Sequence, residues 1–171
     1  MKDIFLINVW GQDKPGVTRV VTEVLSNFEV TVLDIGQAVI HDQLNLGILA
    51  AVPRSEDPEA LIKVVQDSLL ALEMQVMFSP ITEQRYKQWV AQQGKARYIV
   101  TLLARKIEPE HLAAVATVTS EYGLNIDKIL RLSGRMELDE SEQLGRACVE
   151  FSVRGEPKDA MQFKSALLEL A

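Results

Sequence analysis

The sequence predicts an α+β fold of two β-α-β-β-α-β units with antiparallel sheets, the second without its last strand. Three observations carry this prediction. Short runs of strand-like hydrophobicity alternate with stripes of helical spacing, the two patterns follow the order of a split β-α-β unit, and that order is written twice.

"IFLINVW" (Ile4–Trp10) is a nearly continuous apolar run, as expected of a central strand. Beyond "GQDKPG", residues Val17, Val20, Val21, Val24, Leu25 and Phe28 fall on one stripe of an amphipathic helix, and Pro15 suits its first turn. β-Branched and apolar residues return from Val30 to Ile40, His41–Gln43 makes a turn, and Leu44, Leu46, Ile48, Ala50 and Val52 then alternate strictly. A second helix places Leu61, Val64, Val65, Leu69 and Leu72 on one face, with Asp57 or Ser55 in position to cap it. "MQVMF" (Met74–Phe78) closes the first unit as a short strand.

The restart is "RYIVTLLA" (Arg97–Ala104), followed after Pro109 by a helix with Leu112, Val115, Thr119 and Tyr122 inward. "GLNIDKILRL" (Gly123–Leu132) reads as a strand and Ser133–Leu144 as a polar loop. Ala147, Val149, Phe151 and Val153 alternate as another strand. Pro157 opens a last helix with Ala160, Phe163, Leu167 and Leu170 inward. Pro15 and Pro109 stand 94 residues apart, as do Phe28 and Tyr122, and Val30 and Leu124. The organisation is therefore a first domain over 1–81, a polar linker helix over 82–95, and a second domain over 96–171. The fourth strand of the second domain is missing, so the native polypeptide is expected to continue, or a partner to cover that sheet edge.

A net charge of −6 argues against broad binding of nucleic acid or anionic membrane. The 47% hydrophobic and 25% charged content is that of an ordinary globular chain, and no apolar run reaches the ~20 residues that span a bilayer. The N-terminus does not read as a signal peptide, and the single Cys148 excludes an internal disulfide, so a cytoplasmic protein is expected.

Paired units with "DKPGV" after the first strand resemble ACT domains, the small-molecule sensing modules of amino-acid metabolism. "GQDKPGVT", "VTVLDIGQAVIHDQLNLGIL", "YIVTLLARKI", "GLNIDKILRLSGR" and "EFSVRGEP" together are similar to the N-terminal tandem ACT region of bacterial phosphoserine phosphatases. The resemblance implies two ferredoxin-like ACT domains that bind a small amino acid, L-serine in the first instance, and regulate a haloacid-dehalogenase-type catalytic domain. That domain works with magnesium and an aspartate nucleophile in an Asp-x-Asp motif. No two aspartates of this chain are separated by a single residue. The chain is thus expected to be a regulatory part and not itself an enzyme, with no cofactor of its own. The alternative is a stand-alone tandem-ACT regulator acting by protein contact, like the glycine-cleavage repressor accessory proteins.

The candidate ligand site starts from the first loop, Asp13, Lys14, Pro15, Gly16 and Val17. Gly16 permits close approach to the backbone. The N–H groups of the helix that follows suit an α-carboxylate, and the Asp13 carboxylate suits an α-ammonium. The alternative is that Asp13 or Lys14 only helps to cap the helix. The resemblance adds Thr31 and Asp34 in the first copy and Asn125 and Asp127 in the second, each facing the loop of a partnering unit in a homodimer. The second copy departs from the motif: Ile107–His111 reads "IEPEH", and Glu110 replaces Gly16 with bulk and negative charge. A homodimer is also expected because one face of each sheet stays open. His41 and His111 read as surface residues and do not make a metal site. Cys148 reads as a small packing residue, Glu137–Glu142 as a solvated acidic loop, and Trp10 and Trp89 as packing or interface anchors.

Overall fold

The computed structural model describes residues 2–134 and 147–170, so the acidic stretch Glu137–Glu142 and most of its loop lie outside the described residues. The element order is β1 (Lys2–Gln12), α1 (Val17–Asn27), β2 (Thr31–Ile40), β3 (Gln43–Pro53), α2 (Pro58–Leu70), β4 (Gln75–Ile81), α3 (Glu83–Gln92), β5 (Arg97–Ala104), α4 (Pro109–Glu121), β6 (Asn125–Arg131), β7 (Ala147–Arg154) and α5 (Ala160–Leu168). The chain divides into two compact units, Met1–Trp89 and Val90–Ala171, with the boundary inside α3.

In the first unit the sheet order is β2-β3-β1-β4, every pair antiparallel. The register Ile7↔Ile48 and Val9↔Leu46 puts the alternating apolar residues of β1 and β3 on one face. There they meet Val17, Val21 and Leu25 of α1 and Leu61, Val65 and Leu69 of α2 in a closed core. Full burial of each such side chain is worth roughly 1.5–3 kcal/mol, so the packing of the helices on the sheet fixes their places. Val64, expected inward, is 41% exposed. It sits at the margin of the stripe whose centre runs through Leu61, Val65 and Leu69.

Two helices start later than their prolines suggest. Gly16 has φ +96°, which no helical residue adopts, so it is the N-cap and α1 begins at Val17 and not at Pro15. Asp159 accepts hydrogen bonds from the Met161 and Gln162 amides at 2.9 and 3.0 Å, which starts α5 beyond Pro157.

The second unit carries the order β5-β7-β6. Val149, Phe151 and Val153 of β7 pack against Val115 and Val118 of α4 and Phe163 of α5. Tyr98 and Tyr122 close on Phe163 with ring centroids 6.1 and 5.6 Å away. Leu170, expected inward, is 46% exposed because it lies past the end of α5. No strand pairs with the outer edge of β5 among the described residues, at the position where β4 pairs with β1 in the first unit.

The duplication extends to an irregularity. The β2–β3 register slips between Val32 and Asp34, and the β6–β7 register slips between Ile126 and Lys128, 94 residues on. A bulge inserts one residue into a strand. The inserted residues are Leu33 and Asp127. Asp34 is thus equivalent to Lys128, and Asp127 to Leu33.

Candidate functional site

The loop after β1 is tied down at three points. The Asp13 amide donates to the Asp42 carbonyl at 2.7 Å, at the turn between β2 and β3. The Lys14 ammonium donates to the Leu72 carbonyl at 3.1 Å and pairs with the Glu73 carboxylate, which joins the loop to the turn between α2 and β4. Thr18 donates its hydroxyl proton to Gln37 Oε1 at 2.7 Å and links the start of α1 to β2. The Lys14 hydrogen bond and charge hold the Glu73 carboxyl below its ordinary range. His41 beside Asp42, Nδ1 to Oδ1 at 2.7 Å, does the same for that carboxyl. Lys14 is therefore a structural tie, its ammonium already engaged, while the Asp13 side chain is exposed.

Gly16 in its left-handed conformation turns the chain into α1, and no side chain caps that helix. Asp57 caps α2 by accepting from the Glu59 amide at 3.0 Å, and Thr82 Oγ1 accepts from the Arg85 amide at 3.3 Å at the start of α3. The first intrahelical bond of α1 runs from the Val20 amide to the Gly16 carbonyl at 2.9 Å, so the amides of Val17, Thr18 and Arg19 have no partner within the helix. Three such donors at the positive end of a helix favour an anion.

Thr31 and Asp34 do not join this loop within their own unit. Thr18 meets β2 at Gln37, which pairs with Leu46 on the core face. Asp34 lies three residues back, about 10 Å along the strand at ~3.3 Å per residue, and pairs with Leu49 on the other face. Thr31 accepts from the Lys2 ammonium at 2.8 Å, and Asp34 Oδ1 accepts from the Ile35 amide at 2.9 Å. A site that used both the loop and these residues would take them from two different units.

Asn125 and Asp127 come together in the second unit. Asn125 Nδ2 donates to Asp127 Oδ1 at 3.4 Å, Arg154 Nε donates to Asp127 Oδ2 at 2.8 Å, and Arg154 Nη1 donates to Gln93 Oε1 at 2.6 Å. The Arg154 and Asp127 side chains are only 17% and 24% exposed, so Asp127 is already charge-compensated. At the second loop, the Glu108 amide donates to His111 Nδ1 at 3.1 Å and engages this histidine in the start of α4. No cluster of three or more His, Cys, Asp or Glu side chains that could hold a metal is found among the described residues. Cys148 is half-buried, on the side of β7 opposite Val149.

One feature was not legible from the residues alone. In the first unit, Tyr86 and Trp89 of α3 stand with Leu6, Asp34, Leu49, Ile81 and Arg85 around a cavity of ≈ 220 Å³. The sheet face expected to stay open is partly roofed here. The available signal was two aromatics three residues apart in an otherwise polar helix. It showed a face but not what that face covers.

The sequence model of the ACT domain family matches residues 3–79. The chain is 31% identical over 129 residues to phosphoserine phosphatase of Streptomyces coelicolor, covering 75% of this chain and 30% of that protein. It is also 31% identical over 134 residues to the phosphoserine phosphatase SerB2 of Mycobacterium tuberculosis, with the same 75% and 30% coverage. The chain thus spans less than a third of the length of the curated relatives it matches. Among solved structures, an unknown protein from Galdieria sulphuraria superposes with a TM-score of 0.75 at 15% identity, over 99% of this chain and 92% of that one. A putative glycine cleavage system transcriptional repressor superposes with a TM-score of 0.63 at 14% identity, over 99% and 91%. These last two likenesses are of fold. No helix among the described residues is long and apolar enough to cross a membrane.

Proposed function

We propose that this chain, whose first unit matches the ACT domain family and which resembles part of bacterial phosphoserine phosphatases, is the amino-acid-binding regulatory region of such an enzyme in L-serine biosynthesis. L-Serine is the proposed ligand, held between units of a homodimer. The observation that carries the reading is the uncapped start of α1 behind Gly16, which leaves three amide donors for a carboxylate within a loop otherwise anchored by Lys14 and Asp13. Asp34 lies on the face of β2 opposite Gln37, where α1 meets the strand, and this supports a site shared between copies. Binding that differs between two arrangements of the units would bias an attached catalytic domain, as linkage requires. Hydrolysis itself is not assigned to these residues, which lack an Asp-x-Asp pair.

Titration calorimetry with L-serine and a panel of amino acids tests the reading. Saturable heat is expected, lost in Gly16→Glu, which copies the side chain at the equivalent Glu110. No heat from any amino acid at millimolar concentration would refute it. A stand-alone regulator acting through protein contact is the second reading, supported by the fold likeness to a putative repressor across 91% of that protein. An in-frame Asp-x-Asp encoded shortly beyond codon 171 would exclude it.

A further inference from the structure

The cavity beneath α3 is built from the sheet outward. Leu6 pairs with Leu49, and Leu49 with Asp34, so these three residues form one row across β1, β3 and β2 on the face away from the core. The neighbouring row holds Gly36 opposite Gly47, and a side-chain carbon placed on Gly36 would meet nothing within 4 Å. The floor beside Leu49 is thereby lowered. β4 runs into α3 through Thr82, which brings Ile81, Tyr86 and Trp89 over the floor, the two rings 6.0 Å apart and tilted by 31°.

Two opposite charges line this apolar space. Asp34 comes from β2 and Arg85 from α3, and no ion pair joins them among the described residues. Asp34 Oδ1 accepts only its neighbour's amide, and the Arg85 side chain has no partner there. If α3 were merely a cover, its aromatics could close flat on Leu6 and Leu49. An open volume of ≈ 220 Å³ remains instead. That is below the roughly 300–1,000 Å³ of clefts for drug-sized ligands and above the ~150 Å³ that admits benzene.

We infer that this cavity is a second ligand site, complete within one unit, for a small zwitterion with an apolar body. Arg85 takes its carboxylate, Asp34 its ammonium, and Leu6, Leu49, Ile81, Tyr86 and Trp89 enclose the hydrocarbon. The aromatic rings add attraction for the cationic end. A serine hydroxyl would find no partner on this apolar floor, so the preference differs from that of the loop site.

The test uses the full chain and four probes, followed by calorimetry and by the Trp89 indole N–H resonance. L-Leucine carries both charges on one carbon and 6-aminohexanoate carries them at opposite ends. 4-Methylpentanoate and 3-methylbutylamine each lack one charge. Saturable binding of either zwitterion with a shift of Trp89 is expected, each singly charged analogue binding about tenfold weaker or worse. Whichever zwitterion wins reports the spacing of Asp34 and Arg85. Arg85→Gln, a change at an exposed side chain, should weaken binding about tenfold and leave the thermal transition unchanged. Gly16→Glu should leave this binding intact while abolishing any L-serine heat, so the two sites fail separately. Absence of binding by both zwitterions, binding indifferent to Arg85→Gln, or equal binding of the singly charged analogues would each overturn the inference.

Discussion

Gly16→Ala isolates the backbone that shapes the α1 loop. At φ +96° and ψ −5°, Gly16 occupies a region that costs an L-residue about 1–2 kcal/mol. A Cβ built there would meet nothing within 4 Å, so no steric clash is added. Gly36 in β2 is the control: it has the same free space and no left-handed φ. Alanine at Gly36 should be neutral or stabilise by about 0.5–1 kcal/mol, since glycine weakens a strand. For a unit of this size a change of 1 kcal/mol moves the midpoint by about 4–8 °C. Gly16→Ala should therefore lower the Tm by about 4–15 °C and Gly36→Ala should not lower it. Thermal unfolding followed by circular dichroism, with urea denaturation as a second measure, reads both. Equal effects of the two substitutions would refute the argument that φ alone makes glycine necessary at the start of α1.

Two other perturbations follow from the charged contacts. Asp127→Asn leaves Arg154, only 17% exposed, without its carboxylate, and the second unit should lose about 1.5–3 kcal/mol, read as a lower denaturant midpoint with faster amide exchange in β6. Glu73 titrates below its ordinary range because Lys14 stabilises the carboxylate. Its contribution is thus present at neutral pH, above the titration of the unfolded group, and is lost as pH falls through the lower folded value. Amide shifts of Asp13, Lys14 and Gly16 should follow that acid titration, and Glu73→Gln should abolish it.

The units and their order were readable because the core obeys simple periods. Leu44 to Val52 alternate and are buried, and Asp57 caps the helix whose stripe is Leu61, Val65 and Leu69. Pro15 and Pro157 misled about helix starts for one reason. A proline φ suits a turn as well as a first helical residue, and the deciding residues were Gly16 and Asp159. The bulge was hidden because a strand with one extra residue keeps its composition. Only the hydrogen-bond register shows that Asp127 answers to Leu33. The cavity was hidden because Tyr86 and Trp89 line it together with Leu6, Asp34 and Leu49, each more than 35 positions earlier, and periodicity carries no information about such long-range placement.

The differences between the two copies follow a single logic. Both units keep the fold and even the bulge, which are backbone properties, while side chains at equivalent places have parted. At the bulge the second unit places Asp127 against Arg154, whereas in the first unit the matching positions are Leu33 and Ala51, the latter 3% exposed. An internal ion pair satisfies its own charges and has little left to offer a solute. The first unit instead leaves Asp34 and Arg85 apart over an apolar floor, and leaves the amides behind Gly16 uncapped, whereas the second loop engages His111 and carries Glu110. Charged and amide groups without a full set of protein partners, set beside apolar surface, are what a ligand can engage. On the proposed reading, ligand binding falls to the first unit, and substitutions that weaken it should map to residues 3–89 while those at Asp127 or Arg154 act on stability alone.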